Sequence, residues 1–333
     1  MSNLADYIYT DPRIERLLTG LLGSWATIFT LHRPPAASGA YEGISPEFLA
    51  QALSFVKARG YEFVSVDELV ARALRGDSLR RCLCFTLDDG FADQLEQLVP
   101  VLLRYEAKPT LFVITDLIDG AAWPWDNQLA HLCWHAPAGL YSLELSGQAV
   151  AVDLSSPEAR RKTRRQLTRL AKALQRPAIE ALLGQLQACV GFSIPQAAPP
   201  EYQAATWEQL RWAEAAGLRI GCHARSHFTF NALSDGEVAA ELAHAKARLC
   251  AELVQPSEVF CYPSGTQNDF ASHHEPLVQQ AGFLAAVSTL SKNTCAQAIQ
   301  QAPYRIQRIG MPQQLNHFVR YISWFEYLRG RMA

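Results

Sequence analysis

The sequence has no apolar run long enough to cross a bilayer, no CxxC pair among its eight cysteines, no internal repeat and no low-complexity tract. The apolar stretch from Leu17 to Leu31 is broken by Gly20, Gly23 and Ser24 and falls short of a membrane span. Cysteines 82, 84, 133, 189, 222, 250, 261 and 295 are scattered, several in strand-like runs such as Cys82-Leu83-Cys84. They read as small buried hydrophobes in a reducing compartment, which argues against a zinc knuckle or a redox pair. A formal net charge of -2 gives no general attraction for nucleic acid. The first sixteen residues carry Asp6, Asp11 and Glu15 beside Arg13 and Arg16, where a secretory signal needs a basic start. The expected location is therefore the cytoplasm, with contact at the membrane surface left open.

What is present is a globular composition, with 49% hydrophobic, 19% charged and 10% aromatic residues in 333. Runs rich in β-branched and aromatic residues predict strands at Trp25–Leu31, Tyr61–Val66, Cys82–Leu87, Thr110–Ile114, Leu218–Cys222, Val259–Tyr262, Phe283–Ser288 and Tyr304–Ile309. Capped helical segments lie between them. Ser45-Pro46-Glu47 opens one that Gly60 stops, Thr206 caps one ending before Gly217, and Ser234 opens one through Leu253. Alternating strands and helices predict an α/β protein with a parallel sheet or barrel. The alternation fails over about residues 121–200, which reads as a large mixed insertion with a hairpin at Ser146-Gly147 and a helix having Leu167, Leu170 and Leu174 on one face. The expected organisation is an N-terminal extension over 1–24 and one barrel domain over 25–333, interrupted by that insertion.

Two segments carry chemistry. Thr86-Leu87-Asp88-Asp89-Gly90 ends one strand, and His223-Ala224-Arg225-Ser226-His227 follows another. The C-terminal ends of parallel strands are where α/β barrels place reacting groups. One carboxylate and two histidines can hold a divalent metal with a position open for water, and a second carboxylate can take the water's proton.

These two segments resemble the first and second motifs of the polysaccharide deacetylases, the NodB-homology group of carbohydrate esterase family 4. Phe260-Cys261-Tyr262-Pro263-Ser264-Gly265 resembles a third. The resemblance runs from about Trp25 to Ile309 and implies a distorted (β/α)7 barrel. It implies that Asp89, His223 and His227 hold the metal, most often Zn2+, with Co2+, Ni2+ or Mn2+ as alternatives, and that Asp88 is the general base. The loop Tyr262, Pro263, Ser264, Gly265 would bind the oxyanion, and the substrate would be an N-acetylated or O-acetylated sugar. The general acid is expected at His32, ending the first strand, rather than at His317 in Leu315-Asn316-His317. Alternative readings are hydrolysis of another non-peptide C–N bond, or a catalytically weak sugar-binding barrel. The second of these follows from two departures. Cys261 stands where many members carry an arginine that orients the catalytic aspartate, and Ala224 stands where Ser or Thr is usual, so the base is expected to be held loosely.

The insertion carries Arg160, Arg161, Lys162, Arg164, Arg165, Arg169, Lys172 and Arg176. This 160–176 helix reads first as a solvated face. The functional alternative is contact with anionic headgroups or a lipid-linked sugar, such as a precursor of O-antigen, capsule or exopolysaccharide. Trp123, Trp125 and Trp134 could anchor the insertion or line a sugar groove. His131 and His135 read as one helix face, and His273 and His274 as solvent-facing.

Overall fold

The protein is described by a computed structural model for residues 9–36, 42–145 and 147–332. Its strands are β1 (Trp25–Leu31), β2 (Glu62–Phe63), β3 (Cys82–Asp89), β4 (Thr110–Val113), β5 (Leu140–Leu145), β6 (Gln148–Asp153), β7 (Arg219–Cys222), β8 (Val259–Cys261), β9 (Ala285–Val287), β10 (Thr294–Cys295) and β11 (Ile309–Gly310). The helices used below are α1 (Pro12–Leu22), α2 (Pro46–Lys57), α3 (Val66–Arg75), α4 (Trp125–His135), α5 (Pro157–Ala171), α6 (Arg176–Val190), α7 (Trp207–Ala215), α8 (Asp235–Glu252) and α9 (Leu315–Ile322).

The main sheet runs β10-β1-β3-β4-β7-β8-β9, and β11 pairs with β1 farther along the same edge as β10, opposite β3. Every pairing along β11-β1-β3-β4-β7-β8-β9 is parallel. Ile306 forms a parallel bridge to Val287 of β9, and Phe29 and Thr30 of β1 pair with Ile309 and Gly310. The stretch 306–310 thus spans the gap between the last strand and the first, and the sheet curls into a distorted (β/α)7 barrel. Its strands are buried on both faces, as parallel strands covered by helices must be, so β1 and β3 read as near-continuous apolar runs. The helix starts follow from their caps: the side chains of Ser45, Thr206 and Ser234 accept from the backbone N–H three residues on, opening α2, α7 and α8. The last two complete capping boxes with Gln209 and Glu237.

Several strand expectations change, and of Tyr61–Val66 only Glu62–Phe63 pairs, because Ser65 caps α3 at Val66. β3 extends through Asp88 and Asp89, because both still pair with Phe112 and Val113 of β4. The strand expected over 304–309 is instead a 3₁₀ turn, Pro303–Arg305, followed by short bridges on either side of Arg308. Thr294–Cys295 adds an antiparallel edge to β1 that no apolar run announced.

Between β4 and β7 lie the hairpin β5–β6 and helices α4, α5 and α6. Ser146 of the expected turn lies outside the described residues. Trp123 and Trp125 are buried and act as anchors. Trp123 donates to the Pro195 carbonyl at 3.1 Å, and Trp125 stacks on Phe228. No described helix is long and apolar enough to cross a membrane.

Candidate active site

Neighbouring side chains on a strand point to opposite faces, and at the end of β3 this separates two carboxylates. Asp88 turns to the barrel interior, where it is 2% exposed. Asp89 turns to the histidine loop. Its Oδ1 lies 3.7 Å from His223 Nε2 and 3.6 Å from His227 Nε2.

The other nitrogen of each ring is committed. His223 Nδ1 is 2.9 Å from the Cys261 carbonyl, an acceptor only, so this nitrogen carries the proton and Nε2 presents a lone pair. His227 Nδ1 is 3.1 Å from Asp126 Oδ1, on the first turn of α4. Burial draws the His223 pKa down to about 4. Burial acts the same way on His227, but Asp126 and then Asp89 outweigh it and raise the pKa to about 9. Three donor atoms from Asp89, His223 and His227 within 4.8 Å of one another, with their outer nitrogens already bonded, fit a divalent metal.

The backbone around the cluster is unusual. Asp89, Ala224, His227 and Ser264 have φ of 91°, 62°, 65° and 60°, a region that non-glycine residues seldom enter. The histidine loop is held there by Glu241 of α8, whose carboxylate accepts from the Arg225 and Ser226 amides and the Ser226 hydroxyl. Strain collected on these loops is a mark of a working site.

The expectation of a loosely held base is wrong. Arg308, fully buried in the closing stretch, forks onto Asp88: Nη1 donates to Oδ1 and Nη2 to Oδ2, both at 2.7 Å. Its remaining donors reach Thr86 Oγ1, the Ser288 carbonyl and Cys261 Sγ. Cys261 therefore does not leave the arginine position empty; it makes room for a guanidinium arriving from the closing stretch 306–310. Burial opposes ionisation of Asp88, but the Arg308 charge prevails and holds the carboxyl well below the usual carboxylate range. Thr30 Oγ1 donates to the same group at 3.3 Å. Asp88, His223 and Cys261 also have donor atoms close together, but Arg308 occupies both oxygens of that carboxylate and burial keeps the thiol protonated. This second group is not a metal site.

The expected oxyanion loop narrows. Tyr262 N donates to the Val287 carbonyl, Pro263 has no N–H, and Gly265 N donates to the Pro263 carbonyl. The Tyr262 ring is stacked on Phe270 in the core. Of the four residues Tyr262, Pro263, Ser264 and Gly265, Ser264 alone offers an amide with no acceptor among the described residues.

Asp89 and Asp126 open into a cavity of about 570 Å³, lined also by His32, Phe91, Trp134 and Tyr202. His32 is exposed at the end of β1, and buried Gln94 ties its carbonyl to that of Asp88 through one side-chain amide. His317 is exposed on α9 and does not line the cavity, whereas Phe318 beside it packs on Phe29. His131 Nδ1 and His135 Nε2 meet Glu201 Oε1 at 2.7 and 2.8 Å, which ties α4 to the segment before α7. His274 is buried against Phe230, and its Nδ1 accepts from the Ala271 amide, so only His273 faces solvent. Arg308 and Asp126 were not picked out from sequence. The local sequence does not mark Arg308, since Arg305 and Gln307 close by are polar as well.

No protein of curated function matches the chain. Solved structures of the same fold include the Streptococcus pyogenes deacetylase PplD in complex with acetate, at 14% identity and a TM-score of 0.58, covering 90% of this chain and 98% of that one. IcaB from Ammonifex degensii is similar at 16% identity and 0.56, over 90% and 97%. The deacetylase domain of BpsB from Bordetella bronchiseptica is similar at 12% and 0.51, over 86% and 95%. The family model for polysaccharide deacetylase matches residues 75–286, most of the chain and all of Asp88, Asp89, His223 and His227. The chain belongs to the polysaccharide deacetylase family and is a carbohydrate deacetylase.

Proposed function

We propose that this chain is a metal-dependent hydrolase that removes the acetyl group from an N-acetylated sugar. The observation that carries the reading is the pair of opposed carboxylates: Asp89 turned to two histidines with their outer nitrogens bonded, and Asp88 forked onto Arg308 beside them. A divalent metal, zinc on this donor set, would supply a more acidic water and a polarised acetyl carbonyl. Asp88, ionised and fixed in direction, takes the proton of the attacking water. The Ser264 amide donates to the carbonyl oxygen as negative charge develops there. His32 hands a proton to the amine nitrogen as the C–N bond breaks, leaving acetate and a free amino sugar.

Metal analysis tests the first step of this reading. Wild type is expected to bind about one equivalent of divalent metal, and His223→Ala to lose it together with acetate release. A variant that keeps stoichiometric metal would remove the assignment of His223.

The acid role has a sharper test. An amine leaving group needs a proton, whereas a nitrophenolate does not. His32→Gln is expected to slow release of acetate from an acetamido sugar by about 10²–10⁴-fold, within the range for general acid catalysis. Hydrolysis of a nitrophenyl acetate ester should change less than about tenfold in the same variant. Equal losses on both substrates would assign His32 to something other than leaving-group protonation.

A further inference from the structure

The arginines of α5 are divided by the way the helix packs. Thr163, Leu167 and Ala171 face inward. Lys162 and Arg169 are exposed away from the cavity, while Arg160, Arg161, Arg164 and Arg165 line the same cavity as Asp89, with Arg161 and Arg165 also open to solvent. Arg160 is occupied, since its Nη1 donates to the carbonyls of Cys133, Trp134 and Ala136 and caps the end of α4. Arg161, Arg164 and Arg165 have no hydrogen bond or ion pair within 4 Å to any described residue. Other guanidiniums have carboxylate partners, as in Arg33–Asp93, Arg225–Asp116, Arg248–Asp119 and Arg308–Asp88, whereas the exposed Arg13, Arg16, Arg104 and Arg169 have none among the described residues.

Arg164 adds to the positive field on Asp126, and with Arg161 and Arg165, which have no carboxylate within ion-pair distance, it leaves the cavity wall an excess of positive charge that an anion offsets. The cavity has five arginines against three carboxylates, Glu42, Asp89 and Asp126, and the last two are engaged by the histidines. Its volume of about 570 Å³ lies in the range of small-molecule sites. Guanidinium forks match the oxygens of phosphate, and several together favour a group carrying more than one negative charge.

We propose that Arg161, Arg164 and Arg165 form an anion subsite for a phosphate or pyrophosphate esterified to the acetylated sugar, so that the substrate is an activated sugar precursor rather than a neutral finished polymer. The inference rests on the deacetylase reading above. The anion can come from a soluble nucleotide sugar or from a polyprenyl pyrophosphate sugar in a membrane.

Glucose 1-phosphate lacks an acetamide and cannot react, so its binding separates the subsite from the reaction. Calorimetry on the metal-loaded protein is expected to show it binding at least tenfold more tightly than glucose. Arg161→Gln/Arg165→Gln should abolish that preference, and Lys162→Gln/Arg169→Gln, with the same charge change on the outer face of the helix, should keep it. In acetate release, kcat/KM for N-acetylglucosamine 1-phosphate should exceed that for N-acetylglucosamine by about 10–100-fold, carried by KM. Release from phosphorylated and neutral sugars at equal efficiency overturns the subsite and leaves the deacetylase standing. Tight arginine-dependent binding of glucose 1-phosphate with no acetate from any substrate leaves the subsite standing and overturns the deacetylase. A uridine diphosphate sugar and a polyprenyl pyrophosphate sugar in phosphatidylcholine vesicles distinguish the two sources, and preference for either supports the subsite. Binding to phosphatidylglycerol vesicles through the same arginines, undisplaced by glucose 1-phosphate, would make them a membrane contact and overturn it.

Discussion

Asp88→Asn is expected to lower kcat by about 10²–10⁴-fold, the usual contribution of a positioned base, while metal content stays at wild-type stoichiometry. The substitution keeps the shape of the side chain and removes both its charge and its proton affinity. It also has a second effect that must be separated from the first. Arg308 is fully buried and has Asp88 as its carboxylate partner, so asparagine leaves a guanidinium uncompensated in the barrel. Breaking a buried pair from one side costs about 3–5 kcal/mol, enough to lower Tm visibly. The double variant Asp88→Asn/Arg308→Met removes the stranded charge. It should recover much of the lost stability and none of the lost activity, because the two effects have different origins. Recovery of acetate release in the double variant would show that Asp88 matters through folding and not as the base.

Much of the barrel was legible because parallel strands covered on both sides have to be apolar at successive positions. Trp25–Leu31 and Cys82–Leu87 carry that signal plainly; the first stands with the expected ends, and the second begins where expected and runs on to Asp89. The limit of the signal shows at the end of β3, where Asp88 and Asp89 continue the pairing with β4 although their composition says loop. The closing stretch was harder. It holds its place through one bridge at Ile306 and two pairs at Ile309 and Gly310, too few residues for a period to develop.

Within the site, residues adjacent in sequence could be grouped by motif and those brought together by barrel closure could not. Arg308 lies 220 positions from Asp88, beyond the matched segment 75–286, and nothing local marks it as the partner of a carboxylate. Asp126 is hidden for another reason. It sits on the first turn of an insertion helix, where an acidic residue is expected simply as a match to the helix dipole. The direction in which the arginines of α5 face depends on Leu167 and Ala171 finding the core, so the run of charge in the sequence reads equally well as a solvated surface.

Arg308→Gln is expected to reduce acetate release by about 10²-fold or more and to destabilise the fold by about 3–5 kcal/mol. Here it is the Asp88 carboxylate that is stranded, with the Thr30 hydroxyl, the Cys261 thiol and the His223 ring as its remaining neighbours. Burial then acts against the weaker pull of His223 and His32 alone and raises the carboxyl pKa. Because activity needs Asp88 ionised, the acid limb of the pH–rate profile should move to higher pH in the variant, and activity should partly return as pH is raised. A purely structural arginine would lower the profile without moving its limb. Arg308→Lys separates charge from geometry. It restores a cation, so the acid limb should move most of the way back, but a single ammonium cannot hold both carboxylate oxygens as the fork does. kcat in the lysine variant should therefore stay below wild type even on the pH plateau. If lysine restores full kcat, Arg308 supplies only charge; if neither variant moves the acid limb, Arg308 does not act through Asp88.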